Sequence, residues 1–303
     1  MTIGTVLGAG PDSTNYVDDV VAQARLAADA GLESGWFAQI FHYDAIALAA
    51  VVGTRVPELR LGTSAVPIYG RHPLPLAAAA QTAQAATHNR FTFGIALGAK
   101  DFVEPVFGVK HERPALRLRE YLTVFDTLFK TGTVDFAGET VVARTPFPAA
   151  LPGAEPPSVV VAVMGPKAVR VAGELSDGIQ PYLANPKALE TIVADLRAGS
   201  GGADRRVIAL VPIVVTDDVE GARERAAADL ALYETVPSYQ RVLGLGAVER
   251  AADLAVIGDE KTVADQVRRY FEAGATEVVA ANTNLGGPGD QERTWRLLGS
   301  LRD

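Results

Sequence analysis

The chain has 303 residues, of which 48% are hydrophobic and 21% charged, with a net charge of -8 and no cysteine. That composition supplies a large core but no basic stripe of the kind phosphate backbones require, so nucleic acid is not an expected partner. The absence of cysteine removes disulfides, thiolate metal sites and cysteine nucleophiles. Residues 1–10 have no Lys or Arg before their apolar positions, unlike a signal peptide, which makes the cytoplasm the expected location.

Taken in chain order, apolar runs predict strands near Ile3, Trp36, Leu61, Phe93, Val160, Ile179, Leu210 and Val279, with helix-like stretches between them. Runs such as Val159-Val160-Val161 are apolar without alternation, as in parallel strands covered on both faces. Three Ala-Gly pairs, Ala30-Gly31, Ala172-Gly173 and Ala273-Gly274, predict helix ends, because glycine suits the left-handed residue just past a helix. Eight strands alternating with helices predict an α/β fold, a (β/α)8 TIM barrel covering residues 1–303 as one domain. An open doubly wound sheet is the rival, but Gly8-Ala9-Gly10-Pro11 lacks the third glycine of a dinucleotide fingerprint. The longest charge-free stretch, residues 72–89, contains two prolines, two glutamines and two threonines, and reads poorly as a membrane span.

Two stretches interrupt the alternation. Residues 133–157 carry the hairpin-like Asp135-Phe136-Ala137-Gly138-Glu139-Thr140 and then five prolines, and residues 236–249 carry one proline and two closely spaced glycines. Both are expected to be inserted loops.

In a parallel barrel the active site lies at the C-terminal ends of the strands. The residues placed there are Gln39, Ile40, Phe41, His42, Tyr43 and Asp44 after the second strand, residues 64–72 after the third, 98–101 after the fourth and Gly165-Pro166-Lys167 after the fifth. His42 is the candidate catalytic residue, since imidazole exchanges protons near neutral pH, although a single loop histidine is more often a surface or hydrogen-bonding residue. His72, directly before Pro73, reads at least as well as a helix cap, and His88 and His111 read as peripheral. Four scattered histidines, and no Gly-x-x-x-x-Gly-Lys-Ser/Thr, His-Glu-x-x-His or Gly-x-Ser-x-Gly pattern, give no expectation of a metal or of nucleotide triphosphate chemistry.

The segment Leu61-Gly62-Thr63-Ser64-Ala65-Val66-Pro67-Ile68-Tyr69-Gly70-Arg71-His72-Pro73 resembles the third strand of luciferase-like oxidoreductases. Asn89-Arg90-Phe91-Thr92-Phe93-Gly94-Ile95-Ala96-Leu97-Gly98 resembles the approach to strand four and the strand itself. Phe107-Gly108, Arg113-Pro114, Arg117 and Glu120-Tyr121-Leu122 resemble the loop and helix that follow. The resemblance runs from Gly4 to about Ala281 and leans towards the coenzyme F420 branch, through Trp36-Phe37-Ala38-Gln39 together with residues 69–73.

This resemblance implies a bulge at Ser64-Ala65, often with a cis peptide, whose backbone presses on one face of a flavin or deazaflavin ring. It implies cofactor contacts from Gln39, Ser64, Ala65, Val66, Ala96, Leu97 and Gly98. A phosphate side is implied at Ala162, Val163, Met164, Gly165, Pro166 and Lys167, where N–H groups at a helix start suit an anion. F420 is the implied cofactor and FMN the alternative; the implied partners are a small organic substrate and a second copy in a homodimer. Lys100, Arg71, Arg113 and Arg117 read either as a cationic rim for a phosphate or polyglutamate tail or as solvated helix charges. For Arg117, pairing with Glu120 and Tyr121 across a turn is the stronger reading.

Sugar-phosphate dehydrogenases of this family carry an Asp-His pair after strand two and a Glu after strand four. This chain has Gln39-Ile40 and Ala99, and neither glutamine nor alanine exchanges a proton near neutral pH. The implied function is therefore hydride transfer between the deazaflavin C5 and a small organic substrate, with C=C or C=N reduction as the fitting chemistry. An FMN-dependent monooxygenase and a non-catalytic cofactor-binding barrel are the alternatives.

Overall fold

Helix starts are written in the sequence as side-chain caps and prolines. Asn15 accepts hydrogen bonds from the N–H groups of Val17 and Asp18, Asp44 from Ile46 and Ala47, and Asp259 from Thr262, each supplying a partner that the first helical turn lacks. Pro73, Pro114, Pro166, Pro186 and Pro237 each occupy the first position of a helix, where the N–H that proline lacks has no helical acceptor.

The computed structural model describes residues 1–10 and 12–301, so Pro11 of the Gly8-Ala9-Gly10-Pro11 turn lies outside the described residues. The elements run β1 (Thr2–Val6), α1 (Tyr16–Asp29), β2 (Ser34–Phe37), α2 (Ala45–Arg55), β3 (Arg60–Thr63), β4 (Val66–Pro67), α3 (Pro73–Ala86), β5 (Phe91–Ala96), α4 (Lys100–Phe107) and α5 (Pro114–Thr131). They continue with β6 (Asp135–Ala137), β7 (Val142–Arg144), β8 (Ser158–Ala162), α6 (Pro166–Leu175), β9 (Gly178–Ile179), α7 (Pro186–Ser200) and β10 (Arg206–Val215). The chain ends with α8 (Val219–Leu230), α9 (Pro237–Gly246), β11 (Val256–Gly258), α10 (Glu260–Glu272), β12 (Glu277–Ala281) and α11 (Asp290–Ser300). The strands β1, β2, β3, β5, β8, β9, β10 and β12 are parallel and contain the eight predicted strand centres, giving the (β/α)8 barrel that the alternation implies. Among the described residues no helix is long and apolar enough to cross a membrane.

The chain forms two compact units. The first comprises residues 1–36, 180–194 and 206–303, with strands in the order β11-β10-β12-β1-β2. Its buried Glu277 carboxylate accepts hydrogen bonds from Ser34 Oγ (2.5 Å) and Trp36 Nε1 (3.0 Å) and pairs with Arg206 at 3.1 Å, so the buried charge has the partners it requires. Trp295 Nε1 donates to Thr5 Oγ1 at 3.2 Å in the same unit.

The second unit comprises residues 37–179 and 195–205, with the order β3-β5-β8-β9. Here the Ala172-Gly173 expectation is corrected. Gly31 and Gly274 do follow helix ends with φ of +91° and +102°, whereas Gly173 lies inside α6. A Cβ at Gly173 would stand 2.5 Å from the carbonyl oxygen of Leu196, and one at Gly199 would strike the Arg170 carbonyl. This glycine admits the backbone of α7; it does not end a helix.

Residues 133–157 contain the expected hairpin, β6 paired antiparallel with β7. It is clamped by Glu120 of α5, a buried carboxylate that accepts from the N–H groups of Glu139 (2.7 Å) and Thr140 (2.8 Å) and from the Thr140 hydroxyl (2.5 Å). Residues 236–249 are more regular than expected: Pro237 opens α9, and the glycines Gly244 and Gly246 lie in its last turn.

Candidate active site

Every candidate residue lies in the second unit. Its central feature is a break in the third strand. Gly62 pairs with Thr92 of β5, and Val66 pairs with Ile95, so four steps on one strand face three on its neighbour. One residue is extra, which defines a bulge. The Thr63 hydroxyl fills the gap in the ladder: it donates to the Gly94 carbonyl at 2.8 Å and accepts from the Gly94 N–H at 2.9 Å. Beside it the Ser64 N–H donates to the Phe37 carbonyl at 2.8 Å. The Ser64-Ala65 peptide is cis, and both residues are half-buried while Val66 is buried.

Beyond the bulge the register aligns three strands. Pro67 pairs with Ala96, and Ala96 pairs with Ala162. All three are half-buried, so a row of small apolar side chains at the strand ends is left partly open. Leu97 and Met164 are also half-buried, Val163 is buried, and Gly98, with φ of +71°, is exposed. Gly165 precedes α6 without a side-chain bond to the first helical turn, and a Cβ on it would meet nothing within 4 Å. Pro166 is half-buried and Lys167 exposed.

The loop after β2 is held by its own glutamine. Gln39 Nε2 donates to the carbonyls of Ile40 and Tyr43, both at 2.7 Å, and Oε1 accepts from the Ala45 N–H at 3.1 Å. The Gln39 amide is thus engaged in shaping the loop. His42 is exposed, with its ring edge-on to Tyr43 at 5.1 Å.

His72 is the cap of α3: Nδ1 accepts from the Leu74 N–H at 3.2 Å, which leaves Nε2 to carry the proton towards the Val142 carbonyl at 2.9 Å. His111 is more central than the sequence suggests. Its Nε2 lies 3.1 Å from the carbonyl of Gly98, and its ring stacks on Tyr69 at 4.7 Å. No local pattern marks His111, because the contact joins a strand end to a loop thirteen positions later.

The cations are mostly engaged. Arg71 pairs with Asp44 at 2.9 Å and Arg113 with Glu139 at 2.5 Å. Burial opposes ionisation of Asp44, but the Ala47 N–H, Arg71 and the Ile46 N–H outweigh it and hold the carboxyl below the usual range. Arg117 lies over Tyr69 at 4.9 Å and Tyr121 at 5.9 Å, while Glu120 turns instead to the hairpin.

A family model for luciferase-like monooxygenases matches residues 1–277. The chain belongs to the luciferase-like family of oxidoreductases. Among its luciferase-like relatives, a putative coenzyme F420-dependent oxidoreductase of Mycobacterium tuberculosis is 26% identical over 90% of this chain and 81% of its own length. A 5,10-methylenetetrahydromethanopterin reductase of Methanopyrus kandleri is also 26% identical, over 91% of each chain. The structure of an F420-dependent secondary alcohol dehydrogenase, in complex with an F420-acetone adduct, superposes with a TM-score of 0.81 at 19% identity, covering 100% of this chain and 99% of that one. The luciferase-like fold therefore extends over the whole chain.

Proposed function

We propose that this luciferase-like chain is a coenzyme F420-dependent oxidoreductase acting on a small organic substrate. The observation that carries this reading is the partly open row Pro67, Ala96 and Ala162 beside the Ser64-Ala65 bulge. Small apolar side chains level with one another across three strands fit the flat face of a tricyclic ring. Ser64, Ala65, Val66, Ala96, Leu97 and Gly98 would hold that ring. The start of α6, at Gly165, Pro166 and Lys167, offers backbone N–H groups without side-chain partners, which suit a phosphate. When bound, the deazaflavin supplies hydride chemistry at C5, and the protein positions it.

Gln39 and Ala99 give no proton-exchanging group at the positions that sugar-phosphate dehydrogenases of the family use. Substrates that accept hydride and take their proton from solvent or from a pocket group fit better, and C=C or C=N reduction is such chemistry. An FMN-dependent monooxygenase is the second reading, favoured by the family model itself.

Titrating the purified protein with oxidised F420 and with FMN, each followed by its own absorbance, separates the two. Saturable binding of F420, with FMN at least about tenfold weaker, is expected, a gap of about 1.4 kcal/mol. Selective FMN binding would transfer the chain to the flavin reading, and binding of neither would end both.

A further inference from the structure

The two strands that flank the Ser64-Ala65 bulge are joined past Pro67 and Ala96 by side chains. The Ile68 N–H still donates to the Ala96 carbonyl at 2.9 Å. Two carbonyls beyond that bond are then taken by residues from elsewhere: the Ile68 oxygen accepts from the Tyr121 hydroxyl at 3.1 Å, and the Gly98 oxygen lies 3.1 Å from His111 Nε2. A carbonyl only accepts, so Nε2 carries the proton. The same imidazole stacks on Tyr69, with ring centroids 4.7 Å apart and planes 25° from parallel. Tyr69 and Gly98 each stand two residues beyond the paired Pro67 and Ala96. One half-buried histidine therefore bridges both strand ends just past the open row.

Of the two bonded partners, the histidine is the better anchored. Its backbone N–H donates to Glu104 Oε1 at 3.0 Å. The Tyr69 ring beneath it is buried and also lies under the Arg117 guanidinium at 4.9 Å. Gly98 is the opposite case. It is exposed, with φ of +71°, and a Cβ there would stand 2.9 Å from Val103 Cγ2, so the position requires glycine. Glycine has the widest backbone freedom of any residue, and a turn built on it keeps one conformation through bonds supplied from outside.

We infer that His111 is a positioning residue for the cofactor: its Nε2–H fixes the Gly98 turn and thereby sets residues 96–98 for the ring before the ring arrives. The inference rests on the function proposed above, which places the ring against Ala96, Leu97 and Gly98. A segment already ordered in the free protein does not lose that freedom on binding, and the affinity gains accordingly.

Two substitutions separate the donor from the ring. His111→Phe keeps an aromatic ring for Tyr69 and removes the N–H; His111→Gln removes the ring and returns an amide N–H the same number of bonds from Cα. F420 affinity, followed by the cofactor's own absorbance, is expected to fall about tenfold in His111→Phe and to return to within about threefold of wild type in His111→Gln. Thermal midpoints of both should stay within about 3 °C of wild type, while amide exchange in residues 97–103 speeds up in His111→Phe alone. Wild-type affinity in His111→Phe would overturn the inference, as would an equal loss in His111→Gln, since stacking and not donation would then matter. A larger drop in midpoint that accompanies the loss of affinity would also overturn it, by making His111 a residue of the fold. If wild type binds FMN in place of F420, the same series is read with FMN. Binding of neither would end the proposed function, and unchanged exchange of residues 97–103 in His111→Phe would then overturn the fixing of the turn as well.

Discussion

With one hydroxyl, Thr63 meets both backbone groups of Gly94 that the bulge leaves without a ladder partner. Valine has the same shape and neither function, so Thr63→Val strands a buried donor and a buried acceptor at a cost of about 2–4 kcal/mol. Thermal denaturation should show the midpoint falling by about 3–6 °C, and Thr63→Ser should recover most of it. An unchanged midpoint in Thr63→Val would mean that the bulge is held by its neighbours. The place of the bulge was legible in Ser64-Ala65 through family resemblance, and the cis peptide stands there. The part played by Thr63 was not, because a threonine in a strand reads as ordinary β-branched filling until the register shows one residue too many. Gln39 was expected at the site from its place after the second strand; that its amide turns inward to the loop was not legible, since that depends on where Ile40, Tyr43 and Ala45 fall in space.

Helices α6 and α7 meet backbone to backbone at Gly173 and Gly199. In an exposed helix interior Gly→Ala stabilises by about 1 kcal/mol. Here the added methyl would stand 2.5 Å from the Leu196 carbonyl, so Gly173→Ala is expected to destabilise by about 1–3 kcal/mol. Denaturant unfolding checks the sign, and a gain in stability would refute the close crossing. The hairpin β6–β7 has a different anchor. Burial alone would raise the Glu120 pKa, but the Thr140 hydroxyl and the N–H groups of Glu139, Thr140 and Val141 outweigh it and hold the carboxyl below its ordinary 4.5. A depressed folded-state value means that this stabilisation is fully present above pH 4.5 and is lost as pH falls through the folded value. Amide exchange in residues 135–144 should therefore speed up below that pH ahead of the strands, and Glu120→Gln should give fast exchange at neutral pH as well. Identical protection in wild type and variant would remove Glu120 as the anchor. The hairpin itself was readable from Asp135 to Thr140, whereas its clamp sits on another helix and left no local trace.

At the scale of the whole chain, eight apolar runs and the helices between them sufficed for the barrel, because burial on both faces forces a parallel strand to be continuously apolar. The loops obey no such rule, and Ala172-Gly173 shows the limit: the dipeptide that ends two helices elsewhere permits a helix crossing here. Cofactor binding should register across the fold. At a hundred times its dissociation constant, a ligand bound only by the folded chain adds about 2.7 kcal/mol, which for a chain of this length corresponds to a midpoint shift of roughly 4 °C. Calorimetry at one cofactor concentration should show that shift for F420 and at most about half of it for FMN.

The buried polar contacts of Trp36 and Trp295 have an optical consequence. These are the only two tryptophans in the chain, and both lie in the first unit, sealed from solvent, with Trp36 bonded to Glu277 and Trp295 to Thr5. The second unit, which carries every candidate site residue, holds no indole. Emission excited at the red edge of the protein band is therefore a reporter of one unit only. Superimposed melts by emission and by far-ultraviolet dichroism would show the two units unfolding as one, and separated melts would expose a half-folded species in which the site is lost while the emission still looks native.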